Sequence, residues 1–363
     1  MDEQLKQTFL ALVRLGIGHA VSILPETIDW EKIRVIASNQ GLSAIVLDGA
    51  QSLMDRGKLS DGRVMDVKLK KQWIGSVIQG YEWKYEDYRK QLGQLARFYN
   101  EHGFQLMVLK GYGLGLNYPR PEHRPYGDID IWAFGKYKEA DAVLSKELSI
   151  TIDKTHQHHT TFAFNGYFIE NHFDFVNIHY GHGNKELEKV FKHLAIDDSN
   201  WTEIEGQKVY LPSANLHALF VLRHSILHFA STRMTLRQVL DWAFLVANHN
   251  SEIDWAWLTR VLDDYQMTGF FKCINAICVE NLGFDVSIFP RFQFDVAMKE
   301  RVLNDVISPE FFEETPTHIW RRIPFKVRRW QANAWKQNFC YGDSRFKSFW
   351  TGVWGHLIKP EMI

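Results

Sequence analysis

Through the first hundred residues, apolar side chains recur every three to four positions. Phe9, Leu10, Leu12, Val13 and Ile17 share one helical face, and Asp29-Trp30-Glu31 opens a second helix at a capping residue. A longer run from Val64 to Asn100 carries Ile74, Val77, Ile78, Tyr81 and Trp83, then Tyr88, Leu92, Leu95 and Phe98. Its outer face has Lys and Glu at pairing distance. The period changes at Gly103. Phe104 to Leu109 is an apolar run of strand length, stopped by Lys110-Gly111. Tyr112 to Tyr118 has room for two helical turns before Pro119, Pro121 and Pro125 forbid more. Asp128 to Phe134 begins in strict alternation and predicts a strand, and Lys136 to Leu148 predicts a helix. Thr160 to Phe164 and Tyr167 to Phe175 flank Asn165-Gly166, the strongest two-residue hairpin signal. A second hairpin is predicted at Trp201 to Leu211, turning near Glu205-Gly206. From Pro212 helical spacing returns over roughly 213–230, 233–248, 254–267 and 268–282. The pattern predicts an α+β protein. An N-terminal helical region (1–100) and a C-terminal helical domain (213–363) flank an α/β core (101–212).

Composition narrows the class. The chain has 363 residues, 45% hydrophobic, with 13 Trp and 25 Phe, which excludes a disordered polypeptide. Lys and Arg number 42 against 43 Asp and Glu, and a net charge of −1 argues against a protein living by non-specific grip on nucleic acid. The start is acidic where a signal peptide would be basic and then apolar. No stretch reaches the ~18 apolar residues of a membrane helix. Cys273, Cys278 and Cys340 lack metal spacing, which predicts reduced thiols and a cytoplasmic location.

The candidate chemistry lies in Gly127-Asp128-Ile129-Asp130-Ile131. On a strand Asp128 and Asp130 project to one face while Ile129 and Ile131 enter the core. Paired carboxylates repel unless a cation lies between them, and hard oxygen donors favour Mg²⁺ or Mn²⁺, which also bind phosphates. Upstream, Gly111 would let a phosphate approach the backbone where a short helix begins. Downstream, Glu170, His172 and Asp174 share a strand face, with Asn171 as a polar intruder among Ile169, Phe173 and Phe175. A third carboxylate on an adjacent strand would complete a two-metal site.

Leu109-Lys110-Gly111, Arg124, Gly127 to Ile131 and Ile169-Glu170-Asn171-His172 together resemble the bacterial nucleotidyltransferases of the DNA polymerase beta-like superfamily. The resemblance extends over about 30–285, including His224, His228, Arg237, Asp241 and Asp254-Trp255. It implies the nucleotidyltransferase fold, a small mixed sheet carrying the Asp-x-Asp strand, and transfer of a nucleoside monophosphate from an NTP to an acceptor hydroxyl. Asp128, Asp130 and Glu170 would be the metal-binding catalytic carboxylates, and Lys110, Gly111 and Arg124 would lie by the nucleotide. The chain departs from the superfamily in having Tyr112 where Gly-Ser is usual, and Asn171 where an apolar residue is usual. Asp174 is the substitute third carboxylate.

Other patterns compete for the same residues. Gly111-Tyr112-Gly113-Leu114-Gly115 imitates a dinucleotide fingerprint but puts Leu116 where its third Gly belongs, and no P-loop occurs. His156, His158, His159, His179 and His182 surround the first hairpin, read here as polar cleft lining more readily than as a zinc site. His224 with His228, and Arg237 with Asp241, stand four apart on their helices and read as a buried polar cluster joining two helices. Arg321, Arg322, Lys326, Arg328, Arg329 and Lys336 among Trp320, Phe325, Trp330 and Trp335 read as an amphipathic helix packed on the body. Nucleic-acid or membrane contact is the minor alternative, the latter drawing on Trp350 and Trp354. A non-catalytic module binding a nucleotide or a partner is the alternative function.

Overall fold

Five helices arise from the amino-terminal pattern: α1 (Glu3–Gly16), α2 (Trp30–Asn39), α3 (Ser43–Asp55), α4 (Val67–Val77) and α5 (Trp83–Glu101). The structure is a computed structural model describing residues 2–341 apart from 22–23, 56–60, 179–182, 197–198, 232, 312–315 and 317. His179, His182, Trp350 and Trp354 therefore lie outside the described residues. Asp29 caps α2 by accepting from the Lys32 N–H, as its position predicts. A π-helical turn over Ile78–Glu82 joins α4 to α5, so the long run from Val64 is nearly one rod. α3, which the sequence reading did not mark, buries Ala44, Ile45, Val46 and Leu53 and turns Asp48, Gln51, Ser52 and Asp55 outward. It packs on α1 through Gly16 and Gly49, where a Cβ would collide with the Ile45 and Leu12 carbonyls.

The sheet comprises β1 (Met107–Val108), β2 (Ile129–Trp132), β3 (His159–Phe164), β4 (Tyr167–His172), β5 (Trp201–Ile204) and β6 (Gln207–Tyr210). Its six strands run in the order β3-β4-β2-β1-β6-β5. Parallel pairs β2/β4 and β1/β6 lie among antiparallel ones, so the sheet is mixed as the resemblance implies. β1 and β2 are shorter than their apolar runs. β2 stops at Trp132 because Phe134 and Gly135 turn through positive φ (49° and 82°). β4 likewise ends at His172, where the N–H groups of Phe173 and Asp174 both turn to the His158 carbonyl.

Both sheet faces are covered. On one, α5 and α7 (Tyr137–Leu148) bring Tyr88, Leu92, Leu95 and Leu144 against Val108, Ile129, Ile131 and Ile169. Full burial of each such aliphatic side chain contributes about 1.5–3 kcal/mol. On the other, Met107, Leu109 and Trp132 join the core containing Phe175, Leu216 and Phe220. All four residues of β2 are consequently buried, although its first residues alternate apolar and acidic. Asn171 is buried because its amide donates to Asp141 on α7 (2.9 Å), which also accepts from the Thr160 hydroxyl (2.8 Å).

The remaining helices are α8 (Asn184–Ile196), α9 (Ala214–Ser231), α10 (Leu236–His249), α11 (Trp255–Asp264), α12 (Thr268–Ala276), α13 (Val296–Ile307) and α14 (Ile319–Tyr341), with α6 (Tyr112–Gly115) before β2. No described helix is long and apolar enough to cross a membrane, and the three cysteines are free and buried. α14 seats Phe325 and Lys336 in the body, and Lys336 meets Asp305 in a buried ion pair of 2.6 Å. Arg301 of α13 lies over the Trp335 ring at 3.9 Å. Trp320 remains 86% exposed.

Candidate active site

Parallel pairing of β2 with β4 sets Asp130 directly opposite Glu170. Residues paired in this way point to the same sheet face, so two carboxylates 40 residues apart become neighbours. β1 runs antiparallel on the other side of β2, and the Leu109 N–H donates to the Asp130 carbonyl at 3.0 Å. The next residue, Lys110, places its ammonium 2.6 Å from Asp130 Oδ1. His172 Nε2 approaches the same oxygen at 3.2 Å and Glu170 Oε2 at 3.5 Å. Ligand atoms of Asp130, Glu170 and His172 all lie within 4.8 Å of one another.

Asp130 is 2% exposed. Burial alone would raise its pKa, but the Lys110 charge and the His172 hydrogen bond outweigh that and hold the carboxyl well below the ordinary range. Burial likewise opposes charging of His172, yet its hydrogen bonds to Asp130 and Glu170 push its pKa up to about 9. Asp128 sits on the solvent side of the pair. Desolvation among its neighbours raises its pKa, the Asp130 charge adds to this, and Lys110 opposes it. Asp128 does not join the three converging ligand atoms.

Gly111 holds φ 57°, and a Cβ there would strike the Tyr88 hydroxyl. That hydroxyl donates to the Asp128 carbonyl at 3.3 Å, so the glycine admits a brace from α5 beneath the acidic strand. The helix after it is a single turn, α6, where two turns were expected.

Arg124 is 4% exposed and makes a bidentate pair with Asp241 of α10, Nε–Oδ1 2.8 Å and Nη2–Oδ2 3.1 Å. Its Nη1 donates to the Pro125 carbonyl at 3.1 Å. Asp241 also accepts from Arg237 (3.0 Å) and from the Tyr118 hydroxyl (2.7 Å). Sequence reasoning puts Arg124 beside the nucleotide; the structure engages its guanidinium in anchoring the loop before β2 to α10. The Arg237–Asp241 cluster thus ties this loop to a helix rather than joining two helices. Asp174, the substitute carboxylate, points to Lys192 on α8 at 2.5 Å.

His224 of α9 closes the site from the helical side, 3.4 Å from Lys110 Nζ. Burial drives its pKa far below the usual histidine value, with the Lys110 charge adding to the effect. Tyr88 and His224 are site neighbours that the motif search did not select for the site. Nothing local marks Tyr88, and His224, noted in the sequence for its i,i+4 spacing with His228, reaches the site from a helix remote in sequence.

A family model described as an uncharacterised nucleotidyltransferase matches residues 26–283. No curated protein sequence matches the chain significantly. Two solved structures resemble it. One is the solution structure of the antibiotic-resistance factor ANT(2'')-Ia, at 10% identity and TM-score 0.35, covering 51% of this chain and 94% of that one. The other is an antigenic nucleotidyltransferase-like protein from Paracoccidioides brasiliensis, at 14% identity and TM-score 0.34, covering 55% and 95%.

Proposed function

The chain belongs to this uncharacterised nucleotidyltransferase family, and on that premise we propose that it moves a nucleoside monophosphate from an NTP to an acceptor hydroxyl. The acceptor oxygen forms a bond to the α-phosphorus as the bond to the β-phosphate oxygen breaks. Pyrophosphate leaves with the electron pair and the hydroxyl proton is released. The observation that carries this reading is the register that sets Asp130 beside Glu170 on one sheet face, with Asp128 at its solvent edge.

The donor set fits a divalent cation. Asp130, Glu170 and the His172 imidazole offer ligand atoms within 4.8 Å of one another, and Asp128 lies beside them, immediately before β2. Asp128, Asp130 and Glu170 would hold Mg²⁺ or Mn²⁺, which supplies neutralisation of phosphate charge and a more acidic acceptor hydroxyl. His172 orients Asp130 and Glu170 through Nε2. Lys110 balances the Asp130 charge and would meet an incoming triphosphate, while the space beside Gly111 is taken by the Tyr88 hydroxyl. Arg124 acts at one remove, holding the approach to β2 in place.

A second reading, nucleotide binding without turnover, is favoured by the Lys110–Asp130 ion pair, which already neutralises the central carboxylate. Pyrophosphate release and nucleotide binding with each of the four NTPs, with Mg²⁺ or Mn²⁺, separate the two. Asp128→Asn is the cleaner variant because its side chain reaches solvent, and it should lower turnover by about a hundredfold or more while the far-UV spectrum is unchanged. Full turnover in Asp128→Asn and Asp130→Asn would refute the catalytic assignment. Binding without pyrophosphate release would favour the second reading.

A further inference from the structure

Beside the carboxylates, the β3–β4 hairpin gathers a different donor set. His159 and His172 are directly opposite each other in the antiparallel register. The His158 carbonyl accepts the Phe173 and Asp174 N–H groups at 3.0 and 3.1 Å, which fixes His158 at the end of β4. The ring centroids of His158 and His159 are 4.4 Å apart, and those of His159 and His172 are 5.1 Å apart. One ring nitrogen from each of the three lies within 4.8 Å of the other two. Nδ1 of His158 and Nδ1 of His159 are both shielded from solvent and have no hydrogen-bond partner in the protein. Two shielded, unpartnered imidazole nitrogens within a cluster of three rings demand an explanation, because each such group carries a desolvation penalty of about 1–3 kcal/mol.

We propose that His158, His159 and His172 form a binding site for a divalent transition-metal ion of the zinc class, next to the oxygen-donor site at Asp128, Asp130 and Glu170 and sharing His172 with its surroundings. Imidazole nitrogens suit Zn²⁺, whereas Mg²⁺ requires oxygen ligands. Three protein ligands leave one tetrahedral position for water or a substrate group. Tetrahedral bonds of about 2.1 Å set nitrogens about 3.4 Å apart, so the trio must close by up to about 1.4 Å, a movement that ring rotation supplies. His172 Nε2 is already held by Asp130 and Glu170, the carboxylate support that orients metal-binding imidazoles. His156, stacked on His159 at 4.6 Å, sits at the exposed side of the cluster. The site stands independently of nucleotidyl transfer.

Co²⁺ is the probe. The chelator-stripped full chain is titrated with Co²⁺ in excess Mg²⁺, and the visible d–d absorption of nitrogen-bound Co²⁺ is followed. One equivalent should bind and be displaced by Zn²⁺. His158→Ala and His159→Asn should each weaken binding about tenfold or more, while Asp128→Asn keeps it even where pyrophosphate release is lost. Should His159→Asn fail to fold, His158→Ala, at a less buried position, decides, with thermal melting reporting the loss of Zn²⁺-induced stabilisation. Absence of the band in folded wild type, or a band of undiminished strength and affinity in His158→Ala, would overturn the site.

Discussion

Replacing Arg124 by leucine removes one arm of a buried ion pair and tests whether this residue anchors the fold or grips phosphate. Both partners are almost fully buried, and the pair is bidentate at 2.8 and 3.1 Å. Breaking such a pair from one side costs about 3–5 kcal/mol, because the remaining charge stays desolvated. Asp241 would keep Arg237 and the Tyr118 hydroxyl, which places the loss toward the lower end. With an unfolding entropy of about 2.1 cal/mol/K per residue, the 363 residues give about 0.76 kcal/mol/K. The expected fall in Tm is therefore about 4 °C, and about 7 °C at the upper limit. Thermal unfolding by circular dichroism at neutral pH reads it directly. The double variant Arg124→Leu/Asp241→Leu should melt above the sum of the two single losses, since no unpaired carboxylate is left behind. A Tm for Arg124→Leu within one degree of wild type, together with weakened NTP binding, would refute the anchoring role and return Arg124 to the phosphates.

Lys110→Met should destabilise the metal-free protein, because Asp130 loses its 2.6 Å partner, and added Mg²⁺ should raise its Tm by more than it raises that of wild type. Equal Mg²⁺ shifts in the two proteins would show that the ammonium and a cation do not share the site. His217 is 5% exposed, and burial lowers its pKa to about 3. The folded value lies below the unfolded value of about 6.5, so its contribution is complete above pH 6.5 and is lost as pH falls, about 2 kcal/mol by pH 5. His217→Gln should flatten the decline of Tm between pH 6.5 and 5, and parallel curves for the two proteins would dismiss this account.

Much of the site was legible because its signals are local. A strand has period two, so Asp128-Ile129-Asp130-Ile131 sorts acids from aliphatics without any knowledge of the rest of the chain. Asn165-Gly166 announces a hairpin, and observed turns there carry positive φ at both residues. Helices that bury one stripe were equally visible. α3, α8 and α13 were not among them, although each buries one face and exposes another.

What the sequence alone determined was the alternation of elements and the strand on which the acidic pair sits, since these follow from periodicity and turn chemistry within short windows. Tertiary structure decided which charge answers which. Lys110 meets Asp130 across 20 residues, Arg124 meets Asp241 across 117, and Asp174, level with Glu170 in the sequence pattern, turns away to Lys192. A buried charge must find a counter-charge or hydrogen bonds within a few ångströms, and several candidates satisfied that need equally on paper. Only the packing of both sheet faces, and the register of β2 against β4, selected among them.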